Sequence, residues 1–185
     1  KTIQAWLKKY GNNPAHCLNL SINNHFIKPE IFQQIIAQVF GGQRFWNVNF
    51  LPWTPTNSDF NKVLNYPDIF IAMSGGESND VLNMTGVALG KHIICMNAHG
   101  YQDWANNENA ILVDPSGMVD VTDNMFFQKG APINQGNFFD YSEEDLFVAF
   151  EKAEQRLKNN PVNEAGLKLQ KKNAKSFVDT LLNKI

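Results

Sequence analysis

The run "SGGES", residues 74–78, is the stretch of this chain whose residue types and spacing most readily do chemistry. It follows the apolar run "DIFIAM" (68–73) and precedes the helix-forming pattern "SNDVLNMTGVALG" (78–90). Gly75 and Gly76 permit a tight turn and let another group come close to the backbone. Glu77 supplies a carboxylate, which when ionised only accepts hydrogen bonds. With Ser78 as the helix cap, the N–H groups of about Asn79, Asp80 and Val81 are expected to stay unpaired. Such donors, together with the helix dipole, favour a phosphate or a sugar hydroxyl. The same residues also describe an ordinary strand-to-helix turn, with glycine for geometry and serine for a cap. The run is neither a Walker loop, since no Gly-Lys-Ser/Thr follows, nor the Gly-x-Gly-x-x-Gly dinucleotide fingerprint.

Three other loops stand at strand ends: "SINNHFIK" (21–28), "LPWTPTNS" (51–58) and "NAHGYQDW" (97–104). His99 and Gly100 follow the strand "HIICMN" directly, where a turn close to a ligand would lie. Lys28 is the cation of its loop, suited to a diphosphate or to solvent alone. Trp53 is suited to stacking on a base or to packing. The four histidines are scattered and no Cys-x-x-Cys is present, so the sequence offers no zinc pattern. Cys17 and Cys95 lie in apolar, strand-like runs and read as buried, reduced thiols.

The elements that must position these loops follow from periodicity. "TIQAWLKKYG" is helical, with Gly11 to end it. "PEIFQQIIAQVFGG" is a helix with Pro29 near its start and a glycine pair after it. "SDFNKVLN" is a short helix with Ser58 as cap. The helix 78–90 turns Val81, Leu82, Thr85, Val87, Ala88 and Leu89 inward and stops at Gly90. "SEEDLFVAFEKAEQRL" is a helix in which Ser142 and Asp145 form a capping box. A last helix is expected from about Val162 to Leu182, with Leu167, Leu169, Ala174, Phe177 and Leu181 as its stripe. Strands are expected near 16–21, 44–51, 68–73, 92–97 and 110–113. Residues 114–141 read as an aromatic excursion with a small hairpin, which packs or shapes the edge of a cleft.

Strands and helices in alternation, with tight connections, imply a parallel sheet covered on both faces. The predicted fold is therefore α/β, a three-layer Rossmann-like sheet, in one domain spanning 1–185. A chain of 185 residues that is 43% hydrophobic suffices for one such core. Ligands of such folds bind outside the carboxyl ends of the strands, which is where the four loops lie. The net charge of −2 gives no reason to expect nucleic acid as a partner. No apolar stretch reaches membrane-spanning length and no signal peptide is evident, so a cytoplasmic location is the default expectation.

The stretch from Asp68 to Val113 resembles the carboxy-terminal lobe of retaining glycosyltransferases of family 4, which have the two-lobed GT-B architecture. That family shows an aspartate-led apolar strand, then Ser-x-x-Glu-Gly-x-Gly, and a helix ending Glu-Ala-x-Ala-x-Gly-Lys-Pro. A strand, a glycine turn and a short Asn-Gly-x-Leu-Val strand follow. Here "DIFIAMSGGES", "TGVALGKHII" and "NAHGYQDWANNENAILVDP" stand in that order and spacing. The resemblance implies a donor-binding lobe that takes a nucleotide-diphosphate sugar and needs no metal or other cofactor. Sugar would pass to an acceptor with retention of configuration.

By the same resemblance Glu77 matches the glutamate that contacts the donor sugar. Thr85 stands where the family's second glutamate holds the ribose. Lys28 and Asn23 fall at the Lys and Arg that meet the diphosphate, and Asn79 and Asp80 replace glycines. Gly75, Gly76, Ser78, Val81, His99 and Gly100 complete the implied donor site. A complete GT-B enzyme needs roughly twice this length, and the chain starts at Lys1 rather than Met. The amino-terminal acceptor lobe is therefore expected to be missing here. It would be this chain's partner and the route of any peripheral membrane contact. Two alternatives stand beside this reading: a non-catalytic nucleotide-sugar-binding or assembly lobe, and a nucleotide-sugar epimerase on the same scaffold.

Overall fold

The structure is a computed structural model that describes residues 1–22, 27–122, 126–133 and 135–171. It divides into two compact units, residues 1–63 and 64–185.

The first unit opens with helix α1 (Thr2–Tyr10), which buries Ala5, Trp6 and Leu7. Gly11 ends it in the left-handed region at φ 53, a conformation that glycine adopts without penalty, and its N–H donates to the Leu7 carbonyl. Strands β1 (Leu18–Leu20) and β2 (Val48–Phe50) pair in parallel, with Leu18 opposite Val48. Helix α2 (Pro29–Val39) lies between them in the chain, with Pro29 in its first turn. Gly41 and Gly42 follow it with positive φ, as the glycine pair predicts. Helix α3 (Asn57–Asn65) runs across the boundary into the second unit.

Three expectations for this unit are corrected. The strand predicted over 44–51 shortens to 48–50 because asparagine side chains claim the preceding segment. Asn12 Oδ1 accepts from the Trp46 N–H at 3.0 Å, and Asn47 Nδ2 donates to the carbonyls of Asn13 and His16 at 3.1 and 2.9 Å. Cys17 is exposed, not buried: it precedes the strand, and Asn49 Nδ2 donates to its sulfur at 3.2 Å. The cap of α3 is Thr56 rather than Ser58, since Thr56 Oγ1 accepts from the Asp59 N–H and its carbonyl takes the Phe60 N–H.

In the second unit β3 (Ile69–Ala72), β4 (His92–Met96) and β5 (Ile111–Val113) form a parallel sheet in that order. Thus the five predicted strands form two separate ladders. β4 is the central strand and is buried at every residue, which is why its sequence is continuously apolar after His92. Helix α4 (Val81–Ala88) packs on β3 and β4, and helix α5 (Glu143–Asn159) packs on β4 and β5 through Leu146, Ala149, Phe150 and Ala153. Ser142 caps α5 as predicted: its Oγ accepts from the Asp145 N–H at 3.0 Å and donates to that carboxylate at 2.6 Å.

The chain closes, within the described residues, with a short helix α6 (Glu164–Leu167) and a 3-10 turn (Lys168–Lys171), both against α4. Leu167 falls in the former and Leu169 is buried in the latter. Ala174, Phe177 and Leu181 of the expected stripe lie outside the described residues. Strands β6 (Gly117–Asp120) and β7 (Asn137–Asp140) pair antiparallel, which is the hairpin expected within 114–141.

The amino ends of β4 and β5 are tied by polar side chains. Asn163 Nδ2 donates to the carbonyls of Lys91 and Asn109 at 3.1 and 2.7 Å. Arg156 donates to those of Asn107 and Ala110 at 3.0 and 3.1 Å. His92, 1% exposed, shares a 2.7 Å hydrogen bond with the Asn160 carbonyl, so Nε2 carries the proton. Its Nδ1 is buried with no partner among the described residues. Burial holds the His92 pKa below its usual 6.5; the Arg156 charge adds to this, while the Asn160 carbonyl and Asp68 oppose it. Below pH 6.5 the unfolded chain therefore takes up this proton more readily than the folded one. Stability from His92 is complete above pH 6.5 and declines as the pH falls through the lowered value. Urea midpoints measured from pH 8 to pH 5 should fall on the acid side, and His92→Gln should flatten that slope.

Candidate functional site

The loops after β3 and β4 meet at the carboxyl end of the sheet. After β4, Ala98 leads into a 3-10 helix (His99–Asp103). His99 Nε2 donates to the Ser74 carbonyl at 3.0 Å. The Gly100 N–H donates to the Glu77 carbonyl at 3.1 Å, and Trp104 Nε1 donates to the Asn79 carbonyl at 3.0 Å. Three bonds thus lock the loop 74–79 to the turn 99–104. Gly100 is required where the two backbones touch, because a Cβ there would overlap the Ser78 carbonyl and lie 2.8 Å from the Asn79 nitrogen. His99 takes φ 41, a left-handed backbone uncommon for a residue with a side chain. Its ring lies 5.0 Å from that of Tyr101 and 5.9 Å from that of Phe139.

Glu77 stands in this loop, half-buried, with Oε1 accepting from the Ser78 N–H at 3.1 Å. The bond fixes one carboxylate oxygen within the loop. The glycines before it are needed for a reason the sequence did not disclose. The hairpin strand β7 lies on them: the Phe139 N–H donates to the Gly75 carbonyl at 2.9 Å. A Cβ at Gly75 would come 2.5 Å from the Phe139 carbonyl oxygen and 2.9 Å from Phe138 Cβ. One at Gly76 would come 3.0 Å from the Phe138 ring. The close approach permitted by Gly75 and Gly76 is therefore made by the chain's own hairpin. Ser74 tightens the turn, its Oγ donating to the Gly76 carbonyl at 2.8 Å.

The expected open helix end is corrected. α4 begins at Val81, and its cap is Asp80, not Ser78. Asp80 adopts φ 47, and its carboxylate accepts from the Asn83 N–H at 3.2 Å and from Asn83 Nδ2 at 2.6 Å. A negative charge thus already complements the helix dipole there. The helix therefore starts at Val81, two residues later than a Ser78 cap implied, so Asn79 and Asp80 are not its first-turn amides. Burial pushes the nearby Tyr101 phenol up, and the Asp80 carboxylate adds to it. The Cys95 thiol on β4 is pushed to about 12, mainly by burial, and is inert as a nucleophile.

The inward face of α4 also differs from expectation. Val81, Leu82 and Leu89 are exposed, while Gly86 and Val87 are buried. Gly86 lies against the Phe70 ring, so the helix approaches β3 through its smallest residue. Thr85 donates its hydroxyl to the Val81 carbonyl at 2.7 Å, which leaves the oxygen only as an acceptor. Lys28 belongs to the first unit, exposed immediately before α2, and Trp53 of that unit is also exposed. Asn23 lies outside the described residues.

The site thus brings together Gly75, Gly76, Glu77, Ser78, Asn79, Asp80, Val81, His99 and Gly100 in one unit. Sequence reasoning missed Tyr101, Trp104, Phe138 and Phe139. The first two carry a signal, aromatics three apart in a polar loop; the hairpin pair carries none that is local. Among the described residues no group of three or more His, Cys, Asp or Glu side chains could hold a metal ion, and no helix is long and apolar enough to cross a membrane. No protein-family model matches the chain, and no curated protein matches it.

Proposed function

We propose that the chain is the donor-binding lobe of a GT-B-type glycosyltransferase, Rossmann-like in fold, that takes a nucleotide-diphosphate sugar. The observation that carries this reading is the joining of the two loops at the carboxyl ends of β3 and β4, the first of which bears Glu77. The Gly100 amide and the His99 ring fasten the loop that bears the carboxylate. This is the end of a parallel sheet at which such folds bind ligands. Glu77, an acceptor, holds donor sugar hydroxyls, and Thr85 oxygen accepts from a ribose hydroxyl. The amino end of α4 would not offset diphosphate charge, because the Asp80 carboxylate already caps it.

That last feature favours a second reading, a lobe that binds a sugar ligand without transferring it. An anionic leaving group needs electrostatic stabilisation to depart, and Asp80 opposes it. Calorimetric titration with UDP-glucose, GDP-mannose, ADP-glucose and the matching diphosphates tests the primary reading. Saturable binding of one nucleotide family is expected. No binding across the panel overturns it, and binding without sugar release or transfer to added acceptors selects the second.

A further inference from the structure

We infer that Phe138, on the hairpin strand β7, is a sugar-stacking platform of the candidate site and restricts its ligand to one with a hydroxyl-bearing ring. The inference rests on the donor-lobe reading and deepens it. Phe138 is fastened beside Glu77 by backbone geometry: the neighbouring Phe139 N–H is bonded to Gly75, and the Phe138 ring rests on Gly76, the residue before Glu77. Phe138 is nonetheless 40% exposed. Its cross-strand partner Val119 is 49% exposed, so this face of the hairpin is not consumed by the core.

An exposed ring lying on Gly76 and a carboxylate on the next residue set two conditions on a ligand. The carboxylate accepts and does not donate, so the ligand must present hydroxyl or N–H donors, and a bare phosphate is disfavoured. Asp80 close by adds to that bias. The ring offers an apolar face, so the ligand must have a flat apolar side as well. A pyranose meets both conditions, with C–H groups on one face and hydroxyls at the rim. Glycine at 75 and 76 is what lets the ring lie so close to the loop, which gives the glycine pair a role in ligand choice without contact to phosphate.

The test compares wild-type chain with Phe138→Leu and Phe138→Trp by calorimetry, using each nucleotide sugar of the panel and its parent diphosphate. Leucine keeps the apolar volume that packs on Gly75 while removing the aromatic face, and circular dichroism checks that each variant is folded. Phe138→Leu is expected to weaken the nucleotide sugar by about five- to tenfold and the parent diphosphate by less than about twofold. Phe138→Trp should retain the sugar-dependent affinity. Equal losses for both ligands would mean that the ring serves the base, and unchanged affinities that it serves neither; either overturns the inference while the donor-lobe reading stands. A wild-type chain that binds no nucleotide sugar overturns both.

Discussion

Replacing Gly100 with alanine is expected to cost about 3 kcal/mol of stability, the scale of a severe steric insertion. The added Cβ would fall on the Ser78 carbonyl and close to the Asn79 nitrogen, which are backbone atoms and cannot rotate away. Relief requires the loop 74–79 or the turn 99–104 to move, and they are bonded at Ser74, Glu77 and Asn79. The loss would therefore break the joint that fastens Glu77 as well as lower the unfolding midpoint. Gly117→Ala is the matched control, since nothing lies within 4 Å of a Cβ at that position and its φ is not positive. Urea denaturation of the two variants should separate them by most of the expected difference. Equal midpoints would show that the two loops do not touch as described.

Glu77→Ala has the largest expected effect on binding. A hydrogen bond to a charged group is worth about 1.5–3 kcal/mol, so removing the carboxylate should weaken a nucleotide sugar by about 10- to 100-fold. The fold should be nearly indifferent, because the carboxylate accepts from its neighbour's N–H in an exposed loop. Glu77→Gln should fall between wild type and alanine, since an amide oxygen still accepts but carries no charge. The parent diphosphate should bind each variant alike. A loss shared equally by diphosphate and sugar would assign Glu77 to the nucleotide instead.

The features legible in the sequence are those set by neighbours in the chain. Gly11 and Gly90 end their helices with positive φ, and Ser142 with Asp145 gives the cap of α5. The run 68–113 yields strand, loop, helix, strand and turn in the predicted order, and its two polar loops do meet. What the sequence did not disclose depends on distant contacts. Ser78 and Asp80 both belong to capping residue types; the docking of Gly100 and Trp104 on Ser78 and Asn79 leaves the helix to start after Asp80. The glycine pair reads as a ligand approach until Phe138 and Phe139, far downstream, are found lying on it. Likewise Val81 and Leu82 fit an inward stripe until Gly86 sets which side of α4 meets Phe70.

The central claim is that a sugar nucleotide is held where the loop bearing Glu77 joins the turn at Gly100. Amide-resolved NMR titration of the isotopically labelled chain with the best nucleotide sugar of the panel tests it most directly. The account predicts saturable shifts at Gly75, Gly76, Glu77, Ser78 and His99, greatly reduced in Glu77→Ala. Saturable binding that leaves those amides unmoved, or that Glu77→Ala does not weaken, would contradict it.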